Sequence, residues 1–523
     1  MPPTLSGFAS QLSHLLRPVH PPEARFARWT GQRPVLLVGC FLSLISAVAV
    51  WCFYSHGWLQ WYGDAEAHLN TARRIFDSQN PGYDQIGSPW LPLPHVLMLP
   101  FVHVDAWWRS GIAGAFPSMA FFIAGGTFLF AAVRRIFDSA ATAAAATALA
   151  ALNPNLLYLQ STSMNEAIFF GTFMALLYFT VRGSAAGAGI AACAGTLTRY
   201  EGWFVVPFVA LYFLRRGPRD AFVFSVLAGA GPLYWLFHNW YLSGDPLYFY
   251  RGPSSAIAIQ GEAAYAGQDN WRLASYYYRQ AVAICAGTPL IVLALAGAAA
   301  AFSKRAFWPL VLLMLPPVFF IWSVHSAGLP IHMPHLWPHS YYNTRYGLAT
   351  LPLLAFAGAS MVVLAPERMR AVAASVVIIA ASLPWLTQPR PEKWITWVES
   401  RENSEGRRGW TSEAAGFLSA RYVRGSGIIT SFGDLTGIYR KMGIPLRETF
   451  TECDGLPWEA TVRRPDLFLR QEWAVVMQND QVDRAVLMAS RYGIRYQLEK
   501  TIVRKNERVI RIYHRVGGLH GAA

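Results

Sequence analysis

Charge is scarce in this sequence. Of its 523 residues only 14% are Asp, Glu, Lys or Arg while 54% are hydrophobic, which leaves too little polar surface for a water-soluble chain of this length. Cysteine is scarce as well, at five residues. Cys40, Cys52, Cys193 and Cys285 lie within or at the ends of apolar runs and Cys453 stands alone toward the C-terminus, so no disulfide framework is implied and all five read as packing residues. The C-terminal part lacks a Gly-rich phosphate fingerprint, and no internal repeat is evident. Nucleic acid, which a net charge of +14 would invite, is excluded by where the positive charges lie.

What is present is a series of apolar stretches of membrane-crossing length. The first, "PVLLVGCFLSLISAVAVWCFY", runs from Pro34 to Tyr54 behind a tail carrying Arg17, Arg25, Arg28 and Arg33; it is too long and too aromatic at its end for a cleaved signal peptide. Further stretches at 113–133, 140–158, 164–181, 185–200, 203–214, 220–242, 281–302, 306–325, 346–364 and 371–388 bring the total to about eleven crossings. Arg134, Arg135, Arg182, Arg215, Arg216, Arg219, Lys304, Arg305, Arg368 and Arg370 fall in short connections of the same parity as the tail, which predicts that those connections and residues 1–33 are cytoplasmic. The other connections then face outward from a cell (inner) membrane. Past Gln388 the composition turns polar. "GIITSF", "EWAVVMQ" and "RVIRIYHRV" read as strands and "QVDRAVLMASRYG" as a helix. The expected architecture is therefore an α-helical polytopic membrane protein: a transmembrane domain at 34–390 with a first outward loop at about 55–110, and an extracytoplasmic α/β domain at 391–523.

The ionisable residues gather at one edge of this arrangement. Asp64, Glu66, Glu166, Arg199, Glu201, His238 and Arg345 all fall on or just inside the outward face, where charge is costly and points to function. In "GDAEAHLNTARRIFDS" the spacing of Ala67, Leu69, Ala72, Ile75 and Phe76 gives a helix with one apolar side, suited to lying flat at the interface. Asp64 stands at its start, where the dipole and free N–H groups favour negative charge, although an ordinary helix cap accounts for it equally well. His68 lies one turn on, within reach of Asp64, and Glu66 points elsewhere. The prolines of "GSPWLPLPHVLMLPFV" prevent a clean transmembrane helix. In "LTRYEGWFVVP" and "YYNTRYGLATLP" an arginine precedes a tyrosine at the membrane surface; Arg345 suits a phosphate contact, Arg199 pairs with Glu201, and Tyr200 and Tyr346 also fit an aromatic belt. The histidines of "HMPHLWPH" match no zinc signature.

The order of these motifs resembles the C-type (GT-C) glycosyltransferases, among them the protein O-mannosyltransferases and the aminoarabinose transferase of lipid A. The resemblance rests on "GDAEAH" and "ARRIFD" after the first span, then "WLPLPHVLMLPF", a span ending in "RRIFDS", "NPNLLYLQSTSMNEAIFFG", "LTRYEGW" and "NTRYGLATLPLLAF", and covers residues 34 to 390. It implies a hexosyl- or mannosyltransferase-like enzyme that takes its sugar from a polyprenyl-phosphate donor and passes it, with inversion, to a hydroxyl of a protein, lipid or glycan acceptor. Asp64 would be the base and Glu66 a second base or metal ligand, with His68, Glu166, Arg199, Glu201, Arg345 and Tyr346 around the substrate. Many relatives carry adjacent acidic residues where Ala65 here separates Asp64 from Glu66, and the "WWDYG" signature of oligosaccharyltransferases is absent. No cofactor is called for by a motif, and a divalent metal is left open. A polytopic transporter or lipid flippase competes with this reading, but such proteins gather their binding residues at the bilayer midplane, often within repeats.

Overall fold

The computed structural model describes residues 33–505 and 507–516; the N-terminal tail with Arg17, Arg25 and Arg28 lies outside the described residues. The chain divides into two compact units. The first holds the chain through His56 together with Ser88–Pro94 and Pro117–Glu399, and the second holds Gly57–Gly87, His95–Phe116 and the chain from Ser400 onward. Most of the first loop, which the sequence groups with the membrane part, thus packs in the same unit as the C-terminal domain.

The first unit is helical. Among the described residues six helices are long and apolar enough to cross a membrane: Pro34–Ser55, Ile112–Phe137, Pro218–Ser243, Phe307–Ser326, Thr344–Leu364 and Glu367–Thr387. The number rises to seven if Trp271–Ala286 and Thr288–Ser303, bent by 106° to one another, count as one span. The chain is an integral membrane protein. The sequence suggests about eleven crossings, and the difference lies in helix length. Ala140–Ala151 and Ala185–Thr196 have 12 residues each and Glu201–Leu214 has 14, so at 1.5 Å per residue none of them covers a hydrocarbon core of about 30 Å. The stretch 140–158 is in fact two helices, broken where the Asn153 side chain accepts from the Asn155 and Leu156 amides ahead of Pro154.

Lipid supplies no hydrophobic drive for one apolar helix to find another, so close packing of small residues holds such helices together. In Ala140–Ala151 the residues Ala143, Ala145, Ala146 and Ala150 are fully buried. At Gly297 a Cβ would stand 1.9 Å from the carbonyl oxygen of Ala357, so the helix Thr288–Ser303 approaches Leu351–Ser360 only because that side chain is absent.

The second unit contains the helices α1 (Gly63–Arg74), α2 (Leu93–Val102, from His95 on), α3 (Ile395–Ser419, from Ser400 on), α4 (Thr436–Met442) and α5 (Gln481–Arg491). Among the described residues its sheet has five strands, β1 (Ile428–Thr430), β2 (Thr449–Phe450), β3 (Trp473–Met477), β4 (Arg495–Ile502) and β5 (Ile510–Val516), in the order β2-β1-β3-β5-β4. β1 runs parallel to β2 and β3, whereas β5 is antiparallel to both β3 and β4. Alternation along the central strands fills both faces. Ile428, Trp473, Val475, Ile510 and Ile512 pack with Trp410, Ala414 and Leu418 of α3 and Ile438 of α4. Ile429, Ala474, Val476 and Tyr513 pack with Val482, Val486 and Ala489 of α5. The four elements legible in the sequence are β1, β3, α5 and β5. The edge strand β4, largely exposed, and the two-residue β2 are not among the strands read from the sequence.

Gly297→Ala tests the close approach in the first unit. It should lower stability by about 1–3 kcal/mol, the usual cost of overpacking, seen as a lower thermal midpoint in detergent. Gly39→Ala, where nothing lies within 4 Å of the added Cβ, should leave the midpoint unchanged.

Candidate active site

Helix α1 is short, with Asp64 and Glu66 in its first turn and Arg73 and Arg74 in its last, a distribution that suits the helix dipole at both ends. Its cap position is Tyr62, in extended conformation, so Asp64 is not the cap but the second helical residue, and it is half-buried. Glu66 is buried, 6% exposed. Its Oε2 accepts from Nη1 of Arg407 at 2.7 Å, and its Oε1 accepts from Nη2 and Nε of Arg440 at 2.9 and 3.2 Å. Both carboxylate oxygens of Glu66 are thus engaged by guanidinium groups. Arg407 also donates from Nη2 to the carbonyls of Trp61 at 2.8 Å and Gln60 at 3.2 Å. A Cβ on Gly63 would lie 3.7 Å from Nη1 of Arg407 and 4.0 Å from Oδ1 of Asp434. Asp434 keeps contact with solvent but is crowded on its protein side; burial pushes its carboxyl above the ordinary range, Arg407 opposes this, and Glu66 and Asp64 add to it.

The rest of α1 is fixed by protein rather than by an interface. Leu69 and Ala72 are fully buried in a cluster with Met98 and Val102 of α2, Trp108, Ala113 and Leu446, so the apolar side predicted to lie flat at the membrane surface is covered by the chain itself. His68, expected one turn from Asp64, places Nδ1 2.9 Å from Nε2 of His95. Beyond the helix, Asp77 is fully buried. It accepts from Nε of Arg73 at 2.7 Å and Nε of Arg447 at 2.8 Å. Burial alone would raise its carboxyl, but hydrogen bonds from Arg447 and Arg73 outweigh this and hold it below its usual value of 3.8.

The first unit carries a separate ionic constellation. Glu166 opens the helix Glu166–Arg182, and its Oε1 accepts from Nη1 of Arg199 at 3.0 Å and Nε of Arg345 at 3.3 Å. Arg199 is also bonded through Nε to Glu201. Arg345 donates from Nη1 to Oε1 of Glu399 at 3.1 Å, and Oε2 of Glu399 accepts from the amide and hydroxyl of Thr344. The Tyr346 ring stacks on Phe320 at 4.6 Å, with the guanidinium carbons of Arg345 and Arg199 at 5.3 and 5.7 Å from its centre. A cavity of about 50 Å³ opens beside Glu166, Arg199, Arg345, Tyr346 and Phe320. Three carboxylates face two guanidinium groups here. Burial pushes Glu399 above its ordinary value, while Arg345 and Thr344 oppose this.

Glu166, Arg199, Glu201, Arg345 and Tyr346 are therefore brought together, while Asp64, Glu66 and His68 share α1. His238 is buried against Trp235, with ring centres 4.5 Å apart. Glu399, Arg407, Arg440 and Asp434 were not singled out from the sequence: they lie in a polar stretch whose amphipathic spacing is weak, far along the chain from their partners. The histidines of 332–339 do not converge. His332 bonds to Ser340 and His339 to the Pro334 carbonyl, and among the described residues no group of three or more His, Cys, Asp or Glu side chains is placed to hold a metal ion.

No protein-family model matches the chain, and no curated protein matches it by sequence. Solved structures do match. ArnT, the aminoarabinose transferase, from Cupriavidus metallidurans bound to undecaprenyl phosphate aligns over 89% of this chain and 97% of its own, with 13% identity and a TM-score of 0.53. The same protein in the apo state aligns over the same shares with 14% identity and a TM-score of 0.51. An Archaeoglobus fulgidus oligosaccharyltransferase tethered to an acceptor peptide aligns over 86% of this chain and 70% of its own, with 12% identity and a TM-score of 0.45. The chain has the fold of ArnT, and the resemblance to the C-type glycosyltransferases drawn from the sequence is borne out at the level of fold.

Asp77 makes the second unit sensitive to acid. A carboxylate held below its ordinary value contributes stability that is complete above about pH 4 and is lost as pH falls through the lowered value. The thermal midpoint of the wild type should accordingly fall steeply below about pH 4. Asp77→Asn should be destabilised by about 3 kcal/mol at neutral pH and should lose much of that acid dependence.

Proposed function

We propose that this chain is an inverting glycosyltransferase that moves a sugar from a polyprenyl-phosphate donor to an acceptor hydroxyl at the outer surface of the membrane. The observation that carries the reading is the fold. It follows nearly the whole length of ArnT, a protein solved with undecaprenyl phosphate, and it sets a carboxylate-bearing helix in the loop directly after the first span.

In the proposed step Asp64 accepts the proton of the acceptor hydroxyl as that oxygen attacks the anomeric carbon. The new glycosidic bond forms as the bond from that carbon to the phosphate oxygen breaks. The electron pair leaves with the polyprenyl phosphate, and attack opposite the departing group inverts the anomeric centre. Arg345 meets the charge that grows on the phosphate, supported by Arg199 and Tyr346. Its pairing with Glu166 and Glu399 fixes the guanidinium before substrate arrives, and such preorganisation is a large part of what an electrostatic site contributes. Glu201 orients Arg199. Glu66, gripped by two arginines, holds α1 in place, and His68 supports the same helix through His95. The sugar transferred is a hexose, and the acceptor is a protein, lipid or glycan hydroxyl.

Asp64→Asn should cut turnover of a polyprenyl-phosphate sugar by about 10²- to 10⁴-fold, the range for a lost general base, while the protein still accumulates in membranes. Turnover within a few-fold of wild type would remove Asp64 from the mechanism. The assay is release of polyprenyl phosphate followed by mass spectrometry.

A further inference from the structure

We infer that Arg407, acting with Arg440, is a positioning residue through which the C-terminal domain sets the place of Asp64; this rests on the reading of Asp64 as the base. Three acceptors converge on the one guanidinium of Arg407. They are the carbonyls of Gln60 and Trp61, which lead into α1, and the carboxylate of Glu66, in its first turn. Asp64 lies between these anchors, bracketed on both sides by bonds to a residue more than 300 positions further along the chain. No other cation replaces this geometry, because it uses the planar fork of arginine at two nitrogens.

Arg440 takes the other oxygen of Glu66 and also donates from Nη1 to the carbonyl of Arg109. The helix α4 that carries it comes close because residue 437 is glycine: a Cβ there would stand 2.5 Å from Oε1 of Glu66. Arg408, next along α3, lays its guanidinium over the Trp61 ring at 4.3 Å. The segment entering α1 is thus held by side chains of α3 and α4. Arg407 and Glu66 are both nearly withdrawn from water, at 7% and 6% exposure. An ion pair so buried adds little net stability compared with apolar residues of the same volume, but it fixes geometry closely. A displacement of about 1 Å at a reacting group can cost about 10²-fold in rate, so a grip of this kind matters most for turnover.

The test uses the full chain in lipid nanodiscs, with a polyprenyl-phosphate sugar as donor and hydrogen exchange as a second readout. Arg407→Ala should lower kcat by about 10- to 100-fold while KM for the donor moves less than about 3-fold. The amides of residues 60–66 should exchange at least about 10-fold faster. Arg407→Lys keeps the charge without the fork and should restore only part of kcat. Gly437→Ala, which removes no donor and no charge but crowds Glu66, should shift kcat and exchange in the same direction. Glu66→Gln combined with Arg407→Ala should be no worse than the poorer single variant, because both break one unit. Unchanged exchange at 60–66 together with unchanged kcat in Arg407→Ala, or strictly additive losses in the double variant, would overturn the inference. If the wild type consumes no donor, the transfer reading fails instead, and the exchange comparison still decides whether Arg407 holds the segment.

Discussion

Burying a carboxylate is costly unless cations come with it, and the second unit depends on how that cost is met at Glu66. Two guanidinium groups from the C-terminal domain close on this one side chain. Their geometry explains why the first loop and the C-terminal domain belong to one compact unit although more than 280 residues separate them in the sequence. The same device recurs at Asp77, which ties Arg73 of α1 to Arg447. Between these two ionic anchors the apolar side of α1 packs on α2 and Trp108. The helix has nowhere to slide.

In the membrane unit the pairing rule takes a different form. Glu166 is shared by Arg199 and Arg345, and Glu399 completes the set. Charges placed among phenylalanines would be prohibitive singly; as a network they form a rigid polar island beside a small cavity. Small residues at helix contacts, such as Gly297 and the alanines of 140–151, allow that unit to be dense enough to hold the island still.

Much of this was legible in the sequence because membrane insertion and strand alternation leave strong local signals. Apolar runs marked the spans, alternation marked β1, β3 and β5, and charge at one edge marked Asp64, Glu166, Arg199 and Arg345. Crossing number was less legible, since hydropathy does not distinguish a 12-residue buried helix from part of a longer span. The destination of Glu66 was not legible at all. Helical spacing says that it points away from His68, but not that Arg407 and Arg440 wait there, because that pairing is set by tertiary packing. The contact of His68 with His95 was not legible for the same reason, since His95 comes from a neighbouring helix.

Under the proposed function the chain cleaves a polyprenyl-phosphate sugar rather than merely moving it. The most direct measurement follows a labelled polyprenyl-phosphate sugar with the purified full-length chain in proteoliposomes, by mass spectrometry. The expected result is release of polyprenyl phosphate in step with transfer of the sugar to a hydroxyl, with the opposite anomeric configuration. Movement of the intact donor between leaflets with no cleavage would contradict it and favour a flippase.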